Sequence, residues 1–279
     1  MKTPITNMLT LLLVVALSAC VNDLSSEDVE AKKSDNLEDQ LEVEERNRPW
    51  IVKHTGTNCS PCGSWGWGMF SELSDRFGED AVYLAAYAYP EDYVTDLAKE
   101  LSNYNDVQAF PTFSVNNRNI LSEARSTGQV NVREERDLAI MRAEGFINDS
   151  VIINSAVQGV IQDGKMRIRY KTKAFLEVTI TPVYVAVYVL ENSITGHQLG
   201  HPTPDKAVHK HVFRAAMDGQ LWGRNIGALR EGDEIGGEAI IPIEEDWNLD
   251  NLELIVVTYQ KHADTYYFAN ASKGQLINK

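Results

Sequence analysis

The sequence predicts two folded parts in series: an α/β part built on a mixed sheet, then an all-β part arranged as a sandwich. Three observations carry this. Between residues 49 and 148, apolar runs of strand length alternate with segments whose apolar residues recur at helical spacing. From 149 to 279 the alternation stops, and long alternating runs such as "VIINSAVQGVIQ", "MRIRYKTKAFLEV" and "PVYVAVYVLEN" follow one another with no helix-period stretch among them. Asp163-Gly164 joins the first two of these runs, and an Asp-Gly step between alternating segments is a strong hairpin signal.

The start of the chain bears on location. Residues 1–19 hold one basic residue, Lys2, and an apolar run over 8–17, which is a secretory signal too short to span a bilayer. It ends in Leu17-Ser18-Ala19-Cys20, which resembles the lipobox of bacterial lipoproteins, in which Cys20 is diacylated and becomes the first mature residue. The alternative is an ordinary signal cleaved near Ala19 that leaves Cys20 free, an exposed thiol in an oxidising compartment. Residues 20–48 then carry ten acids, four bases and no aromatic residue, too little apolar surface to offset the entropy of ordering. They read as a flexible acidic tether, with a nascent helix over 37–43 as the alternative. The opening "CVNDLSSED" resembles the acidic surface-export signals of some Gram-negative lineages. With a formal net charge of −14, the chain is a poor match for nucleic acid or anionic headgroups, so its membrane contact is expected through the lipid alone.

The remaining elements follow in order. "PWIVKHT" (49–55) reads as a strand, and Trp65, Met69, Leu73 and Phe77 mark a helix stopped by Gly78. Gly63, Gly66 and Gly68 crowd its first turns, so either the backbone is closely approached there or the helix begins irregularly. "AVYLAAYAY" (81–89) has the length and continuous apolarity of a strand buried on both faces. Val94, Leu97, Ala98, Leu101 and Tyr104 give a second amphipathic helix; "AFPTFSVNN" (109–117) gives a strand ending in an Asn-Asn turn that leads back through "RNILS"; residues 133–147 give a third helix. Further strands are expected at "VHKHVFRAAM", "EAIIPI", "LELIVVTYQK" and "YYFANAS".

The chemistry centres on Cys59-Ser60-Pro61-Cys62. A C-x-x-C pair in an exported chain can be a redox pair, a metal clip or a structural staple. A strand before it, a helix after it and a strand beginning at Phe110-Pro111-Thr112 together resemble the thioredoxin fold over about residues 48–148. The resemblance implies a cis Pro111 lying against the disulfide, with Phe110 and Thr112 offering backbone to an extended substrate chain. A cysteine at a helix N-terminus faces unpaired N–H groups, which makes Cys59 the attacking sulfur and Cys62, one turn inside, the resolving one. Pro61 suits a first helical turn. Two departures stand out: thioredoxins place a tryptophan just before the first cysteine and a buried acid six residues before it, where this chain has Asn58 and Lys53. A lysine cannot take the acid's part of accepting a proton from the resolving thiol, although its charge would favour thiolate.

Trp65 and Trp67 flank the loop, as a rim for a substrate peptide or as ordinary packing. His54 alone stands near the cysteines, one ligand where zinc wants four, and His197, His201, His209 and His211 read as loop and strand-edge residues; no metal site and no cofactor are expected. There is no G-x-S-x-G, H-E-x-x-H or P-loop to support a hydrolase or nucleotide reading. In the second part, "HKHVFRAAMDGQLWG", "EDWNLDNLELIVVTYQ" and "FANAS" resemble the twenty-eight-kilodalton outer membrane protein family, lipoproteins with a thioredoxin-like front and a sandwich behind. The resemblance implies an outer-membrane location, on its periplasmic face or at the cell surface, and leaves activity open. Two functions follow as expectations: a thiol–disulfide oxidoreductase acting on exported proteins or peptides that carry disulfides or thiols, or a non-enzymatic adhesin or assembly subunit whose bridge is structural.

Overall fold

A computed structural model describes residues 41–89, 92–123, 125 and 128–278. The signal peptide, Cys20 and residues 20–40 of the expected tether lie outside them. The first strand, β1 (Trp50–Thr55), is buried along its whole length, as expected of a central strand. After it come a short helix α1 (Ser60–Gly63) and the longer α2 (Trp65–Phe77), separated by Ser64 at φ −95°, ψ −100°. Gly63 and Gly66 explain the break. A Cβ on Gly63 would lie 2.2 Å from the Leu199 carbonyl oxygen, and one on Gly66 would lie 2.6 Å from Pro111 Cγ. The backbone is closely approached and the helix begins irregularly, while Gly68 has nothing within 4 Å.

Strand β2 (Val82–Tyr87) lies parallel to β1, and helix α3 (Asp96–Tyr104) follows, its first turn capped by the Thr95 hydroxyl, which accepts from Ala98 N. Strand β3 (Thr112–Val115) runs antiparallel to β1, turns through Asn116 and Asn117 at φ 54° and 60°, and returns as β4 (Arg118–Asn119). Helix α4 (Val132–Ile147) is capped by Asn131. Strands β5 (Ile153–Gln162) and β6 (Lys165–Ala174) form the hairpin expected at Asp163-Gly164, whose residues take φ 53° and 69°. Nine more strands follow: β7 (Val178–Glu191), β8 (Ile194–Gly196), β9 (Ala207–His209), β10 (Val212–Ala216), β11 (Arg224–Leu229), β12 (Glu234–Pro242), β13 (Leu252–His262), β14 (Thr265–Lys273) and β15 (Gln275–Asn278).

The fold is β-rich, and its sheets do not divide at residue 148. One sheet runs in the order β14-β13-β7-β10-β2-β1-β3-β4, with β11 also beside β7. The junction is β10 against β2, where Val212 pairs with Ala85 and Ala85 N donates to the His211 carbonyl. A second sheet, β12-β6-β5-β15, lies over part of the first: Val157, Ile161, Met166 and Ile168 pack on Val185, Val187, Leu254 and Val256. The sandwich thus takes one layer from strands that continue the front sheet, where the sequence suggests two sheets of its own. The reason is that a strand buried on both faces, such as 183–191, has the same pattern whether its neighbour is near or far in sequence.

Alternation along β1 sets the two cores of the front. Trp50 and Val52 point to one face, against Ala98 and Leu101 of α3 and Tyr188 and Tyr259 of the long strands. Ile51 points to the other, against Met69, Phe70 and Leu73 of α2 and Ala139 and Ala143 of α4. Residues 41–48, the end of the expected tether, are fastened to the fold. Asn47 donates to the carbonyls of Phe146 and Asp149, and buried Asn270 donates to the carbonyls of Arg46 and Ile153. Composition misses this because amide hydrogen bonds, with little apolar burial, hold the segment.

Candidate functional site

Chain direction places the site. β1 ends at Thr55, and the residues after it turn over the sheet end to begin α1, with Cys59 as its N-cap residue in an extended conformation. Cys59 O accepts from the backbone N–H of Cys62 and Gly63, and Cys59 Sγ accepts from Cys62 N at 3.3 Å. Cys59 and Cys62 are joined in a disulfide with their Cα atoms 5.2 Å apart. The sulfurs are inequivalent in access: Cys62 is fully buried, Cys59 is half-buried, and Ser60 and Pro61 are exposed. A partner molecule can therefore reach Cys59 first.

Across the loop, the Phe110–Pro111 peptide bond is cis, and the Phe110 carbonyl oxygen lies 3.5 Å from Cys59 Sγ. In the reduced chain a Cys59 thiol could donate to that oxygen. Pro111 is buried, and its carbonyl accepts from both Nη atoms of Arg125. Arg125 in turn forms a two-pronged ion pair with Glu135 of α4, whose carboxylate is fully buried and also accepts from Ser122. Thr112 faces inward at 1% exposure, its hydroxyl donating to the Ala109 carbonyl. Trp65 packs on Phe113, with the Arg125 guanidinium over its ring. The aromatic surface beside the exposed sulfur is instead made by Phe110 and Tyr89, whose rings meet edge to face at 6.0 Å, with Tyr89 45% exposed.

Sequence reasoning missed Tyr89. It also missed the segment 197–203, which lies over the motif. The Gln198 amide nitrogen sits 3.2 to 3.3 Å from the carbonyl oxygens of Gly56, Thr57 and Cys59, and Leu199 N donates to Thr57 O. Gly200, at φ 85°, passes so close to Ser60 that a Cβ there would fall 2.1 Å from its carbonyl oxygen. The close spacing of Gly196, Gly200, Pro202 and Pro204 was a turn signal, but nothing in it says what the turn covers.

Beneath the motif lie charged and titratable groups. Lys53 is 3% exposed, with its ammonium over the rings of Trp67 at 4.7 Å and Phe70 at 4.9 Å and no hydrogen-bond or ion-pair partner among the described residues. Burial pushes its pKa down to about 7, so the neutral amine, which can accept a proton, is populated near neutral pH. It opens onto a cavity of about 130 Å³ bordered by Ser71, Asp75 and His211. His54 points to the opposite face of β1, its ring nitrogens paired with Ser102 and Ser114 hydroxyls, and burial lowers its pKa to about 3. It is turned away from any shared ligand set with the cysteines. Of the later histidines, His197 and His201 lie in the loop, His209 ends β9, a strand of the two-stranded β8–β9 sheet, where it is buried against Tyr87, and His211 lies in the bend before β10 and pairs with Glu253. Among the described residues no group of three or more His, Cys, Asp or Glu is placed to hold a metal ion.

Fold and site together define a β-rich protein with a C-x-x-C disulfide at the end of its central strands. No protein-family model matches the chain, and no curated protein does. Among solved structures it is similar to HBP35 of Porphyromonas gingivalis, with a TM-score of 0.65 at 14% identity, covering 84% of this chain and 77% of that one. A domain of the outer membrane lipoprotein Omp28 from the same organism matches 46% of this chain and 91% of its own, at 16% identity and a TM-score of 0.33. The first likeness is one of fold; the second is too slight to build on.

Proposed function

We propose that this chain is a lipid-anchored, thioredoxin-like protein of the cell envelope that exchanges disulfides with exported proteins through Cys59 and Cys62. The observation that carries the reading is the unequal placement of the two sulfurs: Cys59 half-exposed at a helix start beside Pro111, Cys62 buried behind it. The strand–helix–strand–helix–strand order around the motif supports it. The signal peptide and lipobox support a lipid-anchored place in the cell envelope, and the resemblance to the twenty-eight-kilodalton outer membrane protein family favours the outer membrane, on either face.

A partner thiolate attacks Cys59 Sγ, the Cys59–Cys62 bond breaks, and the electron pair leaves on the Cys62 sulfur, which takes up a proton. A second partner thiolate then attacks the partner's own sulfur in the mixed disulfide and releases Cys59 with its electron pair. Two partner thiols become one disulfide while the chain's disulfide becomes two thiols. Run backwards, with Cys59 attacking a partner disulfide and Cys62 resolving, the same steps reduce the partner. The Tyr89–Phe110 surface is where an extended partner segment would lie.

A specific observation favours a second reading, a binding protein with a structural bridge. Gln198, Leu199 and Gly200 hold the motif's backbone from above, as they would a staple. Substituting Cys62 by Ala separates the two. Exchange requires mixed disulfides, released by reductant, between Cys59 and exported proteins in Cys62→Ala cells and none in Cys59→Ala cells; an absence of adducts in both, with lowered stability in both variants, supports the binding protein.

A further inference from the structure

The exchange chemistry leaves Lys53 without a task, and the fold leaves it without a counter-ion. Its side chain stands on the face of β1 that α2 covers, is more than nine-tenths buried, and has no hydrogen-bond or ion-pair partner among the described residues. The rings of Trp67 and Phe70, 4.7 and 4.9 Å from Nζ, attract the charge but do not accept its N–H groups as an oxygen would. Withdrawn from water in that state, an ammonium is matched by an anion.

The ammonium borders a cavity of about 130 Å³ whose inner walls include Trp67 and Phe70 of α2 and His211. Val208 of β9, Lys210 just after it and Asp75 of α2 stand exposed around the mouth. Size and charge together define the occupant. An apolar cavity of about 150 Å³ holds benzene, so this one takes about five non-hydrogen atoms. Lys210 has no ion-pair partner among the described residues, and His211 is engaged by Glu253 at 2.7 Å. Lys53 and Lys210 against Asp75 therefore leave a surplus of one positive charge, which a monoanion balances. Sulfate would set excess negative charge against Trp67 and Phe70, and chloride would leave those rings and Val208 facing water where an alkyl chain would cover them.

We propose that this cavity binds a short-chain monocarboxylate, with its carboxylate on the Lys53 ammonium and its alkyl chain against Trp67, Phe70 and Val208. The proposal does not rest on disulfide exchange. Nuclear magnetic resonance titration of the full, oxidised chain with propionate, butyrate, the neutral isostere propionamide, chloride and sulfate, at constant ionic strength, tests it. At pH 6 propionate or butyrate is expected to bind at least about tenfold tighter than propionamide, chloride or sulfate. That binding is expected to weaken at least about tenfold by pH 9, because the carboxylate stays ionised while the Lys53 amine, held by burial at a pKa of about 7, loses its proton. The other charged and titratable groups around the ammonium are Asp75, Lys210, His211 with Glu253, His209 and, beyond Trp67, His201. Lys53→Met keeps all of these and is expected to lose the carboxylate binding and its pH dependence together. Lys210→Gln, at the exposed mouth, is expected to weaken binding only roughly two- to threefold. The proposal is overturned if no carboxylate binds, if propionamide, chloride or sulfate binds as tightly, if the affinity is the same at pH 6 and pH 9, or if Lys53→Met, with an otherwise unchanged amide spectrum, binds the carboxylate as well as the unaltered chain does.

Discussion

Lys53 lies buried six residues before Cys59, and its setting makes it a stability liability with a definite pH signature. Its folded pKa of about 7 lies below the ordinary 10.5, so between those values the unfolded chain binds more protons and stability rises with pH. Well below pH 7 the penalty is in full force, on the order of 5 kcal/mol at 1.36 kcal/mol per pKa unit. Lys53→Met is expected to gain roughly 2 to 4 kcal/mol near pH 6, with the gain shrinking toward pH 9.5; denaturant unfolding across that range measures it. His54 acts at the acid end. Its pKa of about 3 against an ordinary 6.5 means that stability is lost as pH falls through that window, and His54→Gln, which can still pair with Ser102 and Ser114, is expected to lessen the loss. Position 53 was legible from its spacing to Cys59, whereas its lack of an ion-pair partner among the described residues was not, because which groups close over a side chain depends on helix packing.

Elements, more than single residues, hold the motif in shape. Helix α4 reaches the site through Glu135, which fixes Arg125 on the Pro111 carbonyl. Removing one partner of a buried ion pair leaves the other unpaired, so Glu135→Gln is expected to cost roughly 3 to 5 kcal/mol in chemical denaturation and to loosen the Pro111 loop. The 197–203 loop acts from above. Gln198→Ala removes the amide contact from three carbonyls of the motif's approach, two of which keep backbone donors, and is expected to cost about 1 to 3 kcal/mol while raising the rate of Cys59 alkylation in the reduced chain severalfold. The sequence showed the local signals well: the stop at Gly78, the Asp163-Gly164 hairpin, the Asn116-Asn117 turn and the Cys59 helix start each have a residue whose backbone preference marks them. Gln198 has no such mark, since a glutamine bonding to carbonyls about 140 residues away leaves no local pattern.

At the scale of the molecule, the front and rear halves share a sheet and a core. Trp50 stacks on Tyr188 and Phe268, and Val82 and Leu84 share that core with Phe213 and Ile255. A fragment of residues 41–148 would expose this surface, so it is expected to lack a cooperative transition by calorimetry, while the whole chain unfolds its front and rear together. The β-rich character and the order of the front elements could be read from the sequence, but the joining of β10 to β2 could not, since it rests on pairing between residues far apart in the chain. The central claim is that this shared frame presents Cys59 for exchange. The most direct measurement is the rate at which the oxidised chain exchanges with a dithiol peptide, set against an unstructured peptide of sequence Asn-Cys-Ser-Pro-Cys-Gly. Exchange about tenfold or more faster in the folded chain, with the first mixed disulfide formed on Cys59, is the expected result; a folded chain that exchanges no faster than the peptide, or forms its first adduct on Cys62, would contradict the account.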